Sequence, residues 1–183
     1  MGFLEPHGRG RRPFRRDGLT GRRASGPHPE SGRDARGRET TPVIIVHSLA
    51  HAVAALSAAA EAGRPILLLS APDAGIYAGS GWFREVIRAA GDAVPTARFS
   101  ALLDCGGDAG AVMAAIRAGL EAILFTGRDD VAARLVDIAA QAGARLATER
   151  PTAALDLGAS FFADDETLRR HCADALASSA AFC

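Results

Sequence analysis

The chain has 183 residues, 48% of them hydrophobic, and a formal net charge of zero, which suits one globular domain and offers no apolar run long enough to cross a membrane. All 21 basic residues are arginine; without lysine, Schiff-base chemistry, covalently held pyridoxal phosphate and a Walker-type phosphate loop are excluded. Cys105, Cys172 and Cys183 show no CxxC spacing, so no disulfide framework is read and a reducing, cytoplasmic setting is expected.

The charge is unevenly spread. Residues 1–41 hold 10 Arg against 5 acids, and the remainder holds 11 Arg against 16. The first segment is rich in Gly, Arg and Pro, with too few apolar residues to offset the entropy of ordering, so a disordered tail is expected there and an α/β domain over 42–183. The tail has no apolar core of a secretory signal. Its Gly8–Arg16 stretch (GRGRRPFRR) is the one place where weak nucleic-acid contact is conceivable; a solvated tail is the plainer reading.

From Pro42 the pattern turns regular. Val43–His47 (VIIVH) reads as a buried strand, and Leu49–Ala62 as a helix with Ser48 as N-cap and Gly63 as its stop. Ile66–Ser70 is the second strand. A glycine-rich loop leads to a helix over Gly81–Ala90. Arg98–Asp104 is the third strand, and Asp108–Ala118 a helix capped by Asp108. Ala122–Thr126, Asp129–Ala142 and Ala144–Thr148 continue as strand, helix and strand, and Asp164–Ser178 is a last amphipathic helix. Strict alternation with short connections predicts parallel strands and right-handed crossovers. That rhythm fits a partial TIM-type (β/α) barrel and equally an open flavodoxin-like sheet.

Three stretches carry a family resemblance. Residues 47–79 (HSLAHAVAALSAAAEAGRPILLLSAPDAGIYAG) pass from a first strand through a helix of small residues to a strand ending in serine and a YAG-type loop. Residues 101–127 (ALLDCGGDAGAVMAAIRAGLEAILFTG) and 144–150 (ARLATER) follow in order. Together they resemble the front half of the class II fructose-bisphosphate aldolase barrel. The resemblance implies a metal-dependent aldehyde-lyase of carbohydrate metabolism, acting on a small phosphorylated carbonyl compound, with zinc as cofactor. It puts Asp104 at the catalytic acid/base position, Cys105 where the family has a zinc-binding histidine, Glu149 at a metal-associated glutamate, and Ser70 near a substrate phosphate. The sequence departs from the family at Thr126–Gly127–Arg128, where Asp-Gly-Ser is usual, and at Arg150–Pro151, which replaces a glycine-rich segment.

The residues also stand on their own. In parallel α/β folds, sites form at the C-terminal ends of strands, and those ends carry His47, Ser70–Asp73, Asp104–Cys105, Arg128–Asp130 and Glu149. His47, Cys105 and Glu149 on neighbouring loops are candidate metal ligands, and Arg128 is a candidate for an anionic substrate group. Each has a plainer alternative: a capping or surface histidine, a small buried hydrophobe, a loop ion-pair residue, and an arginine paired with Asp129 or Asp130. Asp104 beside a glycine pair could equally cap a turn. The competing functional reading is a non-catalytic half-barrel that binds or assembles. Open sheet edges favour pairing with a second copy, so a homodimer is expected, with Trp82–Phe83 as contact residues.

Overall fold

The computed structural model describes residues 41–180. The disorder expected of residues 1–41 therefore falls, except for Thr41, outside the described residues. Strands β1 (Val43–Val46), β2 (Ile66–Ser70), β3 (Phe99–Asp104), β4 (Ala122–Leu124), β5 (Arg145–Ala147) and β6 (Leu155–Asp156) alternate with helices α1 (Leu49–Glu61), α2 (Ala74–Tyr77), α3 (Ser80–Ala93), α4 (Ala109–Arg117) and α5 (Asp129–Gln141). A 3₁₀ turn at Leu157–Ser160 and helix α6 (Asp165–Ala180) follow β6.

Local chemistry sets the boundaries. The Ser48 hydroxyl accepts from the His51 N–H and Asp108 from the Ala111 N–H, each capping a helix start. Gly63 and Gly119 stand just past α1 and α4 with φ of 63° and 78°, the left-handed turn that lets the chain leave a helix at once.

The six strands form one all-parallel sheet in the order β5-β4-β3-β2-β1-β6. Each of the first five lies beside its predecessor, as in the front half of a barrel. The sixth joins β1 and not also β5, so the sheet is open and does not close into a barrel. Among the described residues every helix packs on one of its faces. Ile44, Val46, Leu68, Leu103 and Ile123 share one core with buried residues of every helix. The alternate residues Val43, Ile45, Leu67, Leu69, Leu102 and Leu124 form a second cluster without helical members. The alternation of strand side chains thus sends one set to the helices and the other to a face that carries no helix among the described residues. On the helical side α1 sits centrally, against α3 and α6. Its alanines Ala52, Ala55 and Ala59 are buried beside the larger His51 and Leu56, and their small side chains let the helix approach the strands closely.

This second face is crossed by the segment that joins β5 to β6. Residues 148–154 link the end of β5 to the start of β6 at the opposite edge, spanning at most about 28 Å when extended. A flat six-stranded sheet is about 24 Å wide, and the link must also return from the C-terminal to the N-terminal end of the strands. Little slack remains in the link. Ala153 packs on the second cluster, and the Ala154 N–H donates to the Val43 carbonyl at 2.8 Å.

β6 takes the edge beside β1, and α6, the last amphipathic helix, packs on α1. One expectation needs correction. Phe83 is 1% exposed and belongs to the core, so of the Trp82–Phe83 pair only Trp82 reaches the surface.

Candidate functional site

Parallel register aligns the strand ends: Val46 lies opposite Ser70, and Asp104 opposite Leu124. Asp104 shares its phase with Leu102, so its side chain is on the face crossed by the link. It is fully buried at 0% exposure and surrounded by donors. Its Oδ1 accepts from the Gly106 N–H at 2.7 Å and the Asp73 N–H at 3.3 Å. Its Oδ2 forms an ion pair with Arg150, whose side chain is 34% exposed. Asp73 has φ 58°, a left-handed conformation that aspartate tolerates better than most residues. It follows the β2 strand end and opens α2.

Ser70 ties this turn to the sheet. Its hydroxyl accepts the Asp104 N–H at 2.9 Å and donates to the Ala71 carbonyl at 3.1 Å. Because Ser70 is fully buried, it presents no surface to a substrate. Tyr77 on α2 stands exposed at the same rim. Burial and then the negative charges of Asp73 and Asp104 push its phenol upward from its ordinary value.

Cys105 faces the other way. Its thiol lies in the helical core, so close to α2 that a methyl on Gly75 would sit 2.6 Å from Sγ. Burial, and then the Asp104 and Asp108 charges, push the thiol up to about 12. A thiol held protonated in a core is a poor metal ligand. Arg128 makes a two-point ion pair with Asp130 at 3.0 and 2.9 Å on the exposed start of α5, the plainer of its two readings.

His47 turns towards β6, where Nε2 meets Asp156 Oδ1 at 2.7 Å. The Gly158 N–H donates to the same oxygen at 2.8 Å. His51, fully buried, accepts the His47 N–H on Nδ1 at 3.3 Å, and its Nε2 has no hydrogen-bond partner. Its ring meets Phe161 edge-on at 5.6 Å. Burial, reinforced by His47, pulls the His51 pKa below its ordinary value, while the Ser160 backbone and Asp156 act in the opposite sense.

The proposed zinc ligands His47, Cys105 and Glu149 are therefore not brought together. Among the described residues no group of three or more His, Cys, Asp or Glu side chains is placed to hold a metal ion, and this donor set does not fit zinc. What sequence reasoning missed is Arg150 as the partner of Asp104. The available signal was the Arg150–Pro151 pair itself, standing where the resembled family has glycines.

A separate hollow of about 230 Å³ opens on the same face between β2–β5 and the link. It is lined by Leu67, Ser100, Leu102, Ala122, Arg145, Glu149 and Pro151, among others.

No protein-family model matches the chain, and none of the curated proteins matches it. Among solved structures, a probable tagatose 6 phosphate kinase from Sinorhizobium meliloti 1021 is similar at 19% identity with a TM-score of 0.44. The match covers 78% of this chain and 46% of that one. The chain thus spans less than half the length of that protein, and a likeness of this size does not bear on activity. None of the helices among the described residues is long and apolar enough to cross a membrane.

Proposed function

We propose that the chain is a non-catalytic binding module built on an open β/α sheet. The observation that supports this most is the occupation of Asp104. A general base must be free to take a proton from its substrate, and here both carboxylate oxygens are already engaged by Arg150 and two backbone N–H groups in a fully buried position. The other reading, a zinc-dependent lyase cleaving a phosphorylated carbonyl compound, needs that carboxylate free and needs a metal-ligand set; neither has support in the side-chain geometry. No step is derived through zinc.

Full-length protein incubated with fructose 1,6-bisphosphate, with and without added zinc, is expected to leave the substrate intact. Aldol cleavage that disappears in Asp104→Asn would overturn the module reading. Its assembly side is a homodimer paired along β5, an edge strand that pairs only with β4 among the described residues. Light scattering tests this separately, and a monomeric mass across a wide concentration range removes it.

A further inference from the structure

The three histidines among the described residues, His47, His51 and His171, gather round one turn. His51 is fully buried in the first turn of α1. Its Nδ1 accepts the His47 N–H at 3.3 Å, so the hydrogen of the neutral ring sits on Nε2, which has no hydrogen-bond partner. The segment 158–163, between the 3₁₀ turn and α6, covers this end of the helix. Phe161 meets the His51 ring at 5.6 Å, and Ser160 Oγ lies 3.2 Å from Nδ1 of His171 on α6. Gly158 lies against His47 so closely that a methyl there would sit 2.9 Å from Nε2.

The segment is held at its two ends by buried Leu157 and Leu168. Between them its hold is light. Phe161 is half exposed and Phe162 almost fully exposed. The Gly158 N–H donates to the Asp156 carboxylate and the Ala163 N–H to the Ser160 carbonyl, both local contacts. Helix α1 is fixed far more firmly, with Ala52, Ala55, Leu56 and Ala59 all in the core.

A proton can join the neutral His51 ring only at Nδ1, the atom that accepts from His47. Its arrival breaks that bond and puts a charge in a buried place. Among the described residues the charges that bear on the ring are those of His47 and Asp156. His47, with its ring centroid 5.9 Å away, repels when protonated. Asp156 attracts, but it is half exposed and its Oδ1 is already engaged by His47 and Gly158. From α6 comes His171, across Ser160. Burial and His47 outweigh Asp156 and the Ser160 backbone, which leaves the His51 pKa below its ordinary value. Acid therefore favours any arrangement in which water reaches the ring, and the lightly held cover moves before the core helix does.

We propose that residues 158–163 are an acid-opened flap: proton uptake by His51 releases Phe161, and the segment swings out between Leu157 and Leu168. The flap goes beyond the module reading and does not rest on it.

The test is amide hydrogen exchange of the full chain at pH 7 and pH 5, expressed as protection factors so that the intrinsic pH dependence of exchange cancels. A ring that stays neutral when covered and titrates near 6.5 when open raises the opening constant by up to about 25-fold over this interval. Protection at His47, Gly158 and Ala163 is expected to fall towards that limit, while Cys105, whose N–H is bonded to the Leu124 carbonyl within the sheet, keeps its protection. His51→Phe keeps a ring that cannot take the proton, and there Gly158 and Ala163 should lose their pH dependence. Nitrogen-15 shifts of the imidazoles need no variant: His51 should be neutral at pH 7 with its hydrogen on Nε2, and should titrate together with the loss of protection. A change below about twofold at Gly158 and Ala163, an equal fall at Cys105, the same fall in His51→Phe, or a His51 ring already charged at pH 7 would each overturn the flap. Fructose 1,6-bisphosphate cleavage lost in Asp104→Asn sinks the module reading and leaves the flap standing.

Discussion

Replacing Arg150 with methionine removes a charge while keeping most of the apolar stem. Asp104 then remains fully buried without its counter-ion. Breaking a buried ion pair from one side costs about 3–5 kcal/mol. Two features of this site reduce that figure. Arg150 is 34% exposed, so water can approach the vacated side, and Oδ1 keeps its bonds from Gly106 and Asp73. An expected loss of about 2–3 kcal/mol follows. For a domain of this size it corresponds to a fall in thermal midpoint of about 6–12 °C. The assay is denaturant unfolding and calorimetry of four proteins: parent, Arg150→Met, Asp104→Asn, and the double variant. The double variant is expected to be more stable than Arg150→Met alone, because the uncompensated charge is gone. If Arg150→Met lies within about 0.5 kcal/mol of the parent, the pair is behaving as a surface contact, and the occupation of Asp104 no longer argues against catalysis.

Further outcomes follow from the same geometry. His51 is neutral in the folded state with a lowered pKa, whereas the unfolded chain takes up a proton near the ordinary value of about 6.5. Its contribution to stability is therefore complete above that pH and is lost as pH falls towards the depressed folded value. The thermal midpoint should drop between about pH 7 and 5, with a shallower slope in His51→Phe; an unchanged slope refutes the assignment. The Cys105 and Cys172 thiols, each pushed up to about 12 by burial, should resist iodoacetamide in the native protein and react on unfolding. Peptide mass spectrometry showing native-state labelling at a free-thiol rate would count against the buried placement. Gly75→Ala puts a methyl 2.6 Å from Cys105 Sγ and 3.0 Å from the Asp104 carbonyl, and should destabilise by about 1–3 kcal/mol. Cys105→Ala in the same chain should recover part of the loss; no recovery means that the backbone contact dominates.

The sequence by itself determined the β/α alternation and nearly every boundary. Ser48 and Asp108 announce helix starts because their oxygens can satisfy free N–H groups. Gly63 and Gly119 announce stops because they tolerate a left-handed turn. The uninterrupted apolar runs VIIV and ILLLS signal strands buried on both faces. These signals are local. The short α2 was hidden in a stretch that reads as a glycine-rich loop, and the two residues of β6 are too few to carry a period.

Only the tertiary structure decided the rest. Whether the sheet closes depends on whether the sixth strand bridges β1 and β5; it pairs with β1, at the place that residues 148–154 can reach. The same link brings Arg150 to Asp104, 46 positions away in the chain, and turns an acid that resembles a catalytic residue into a buried ion-pair partner. Whether Cys105 faces a rim or a core likewise follows from strand phase at the end of β3. A strand end offers adjacent residues to opposite faces, so Asp104 and Cys105, consecutive in the chain, belong to different sides of the sheet. Distance in sequence carries no charge pairing and no facing; both arise only when the sheet and its link are in place.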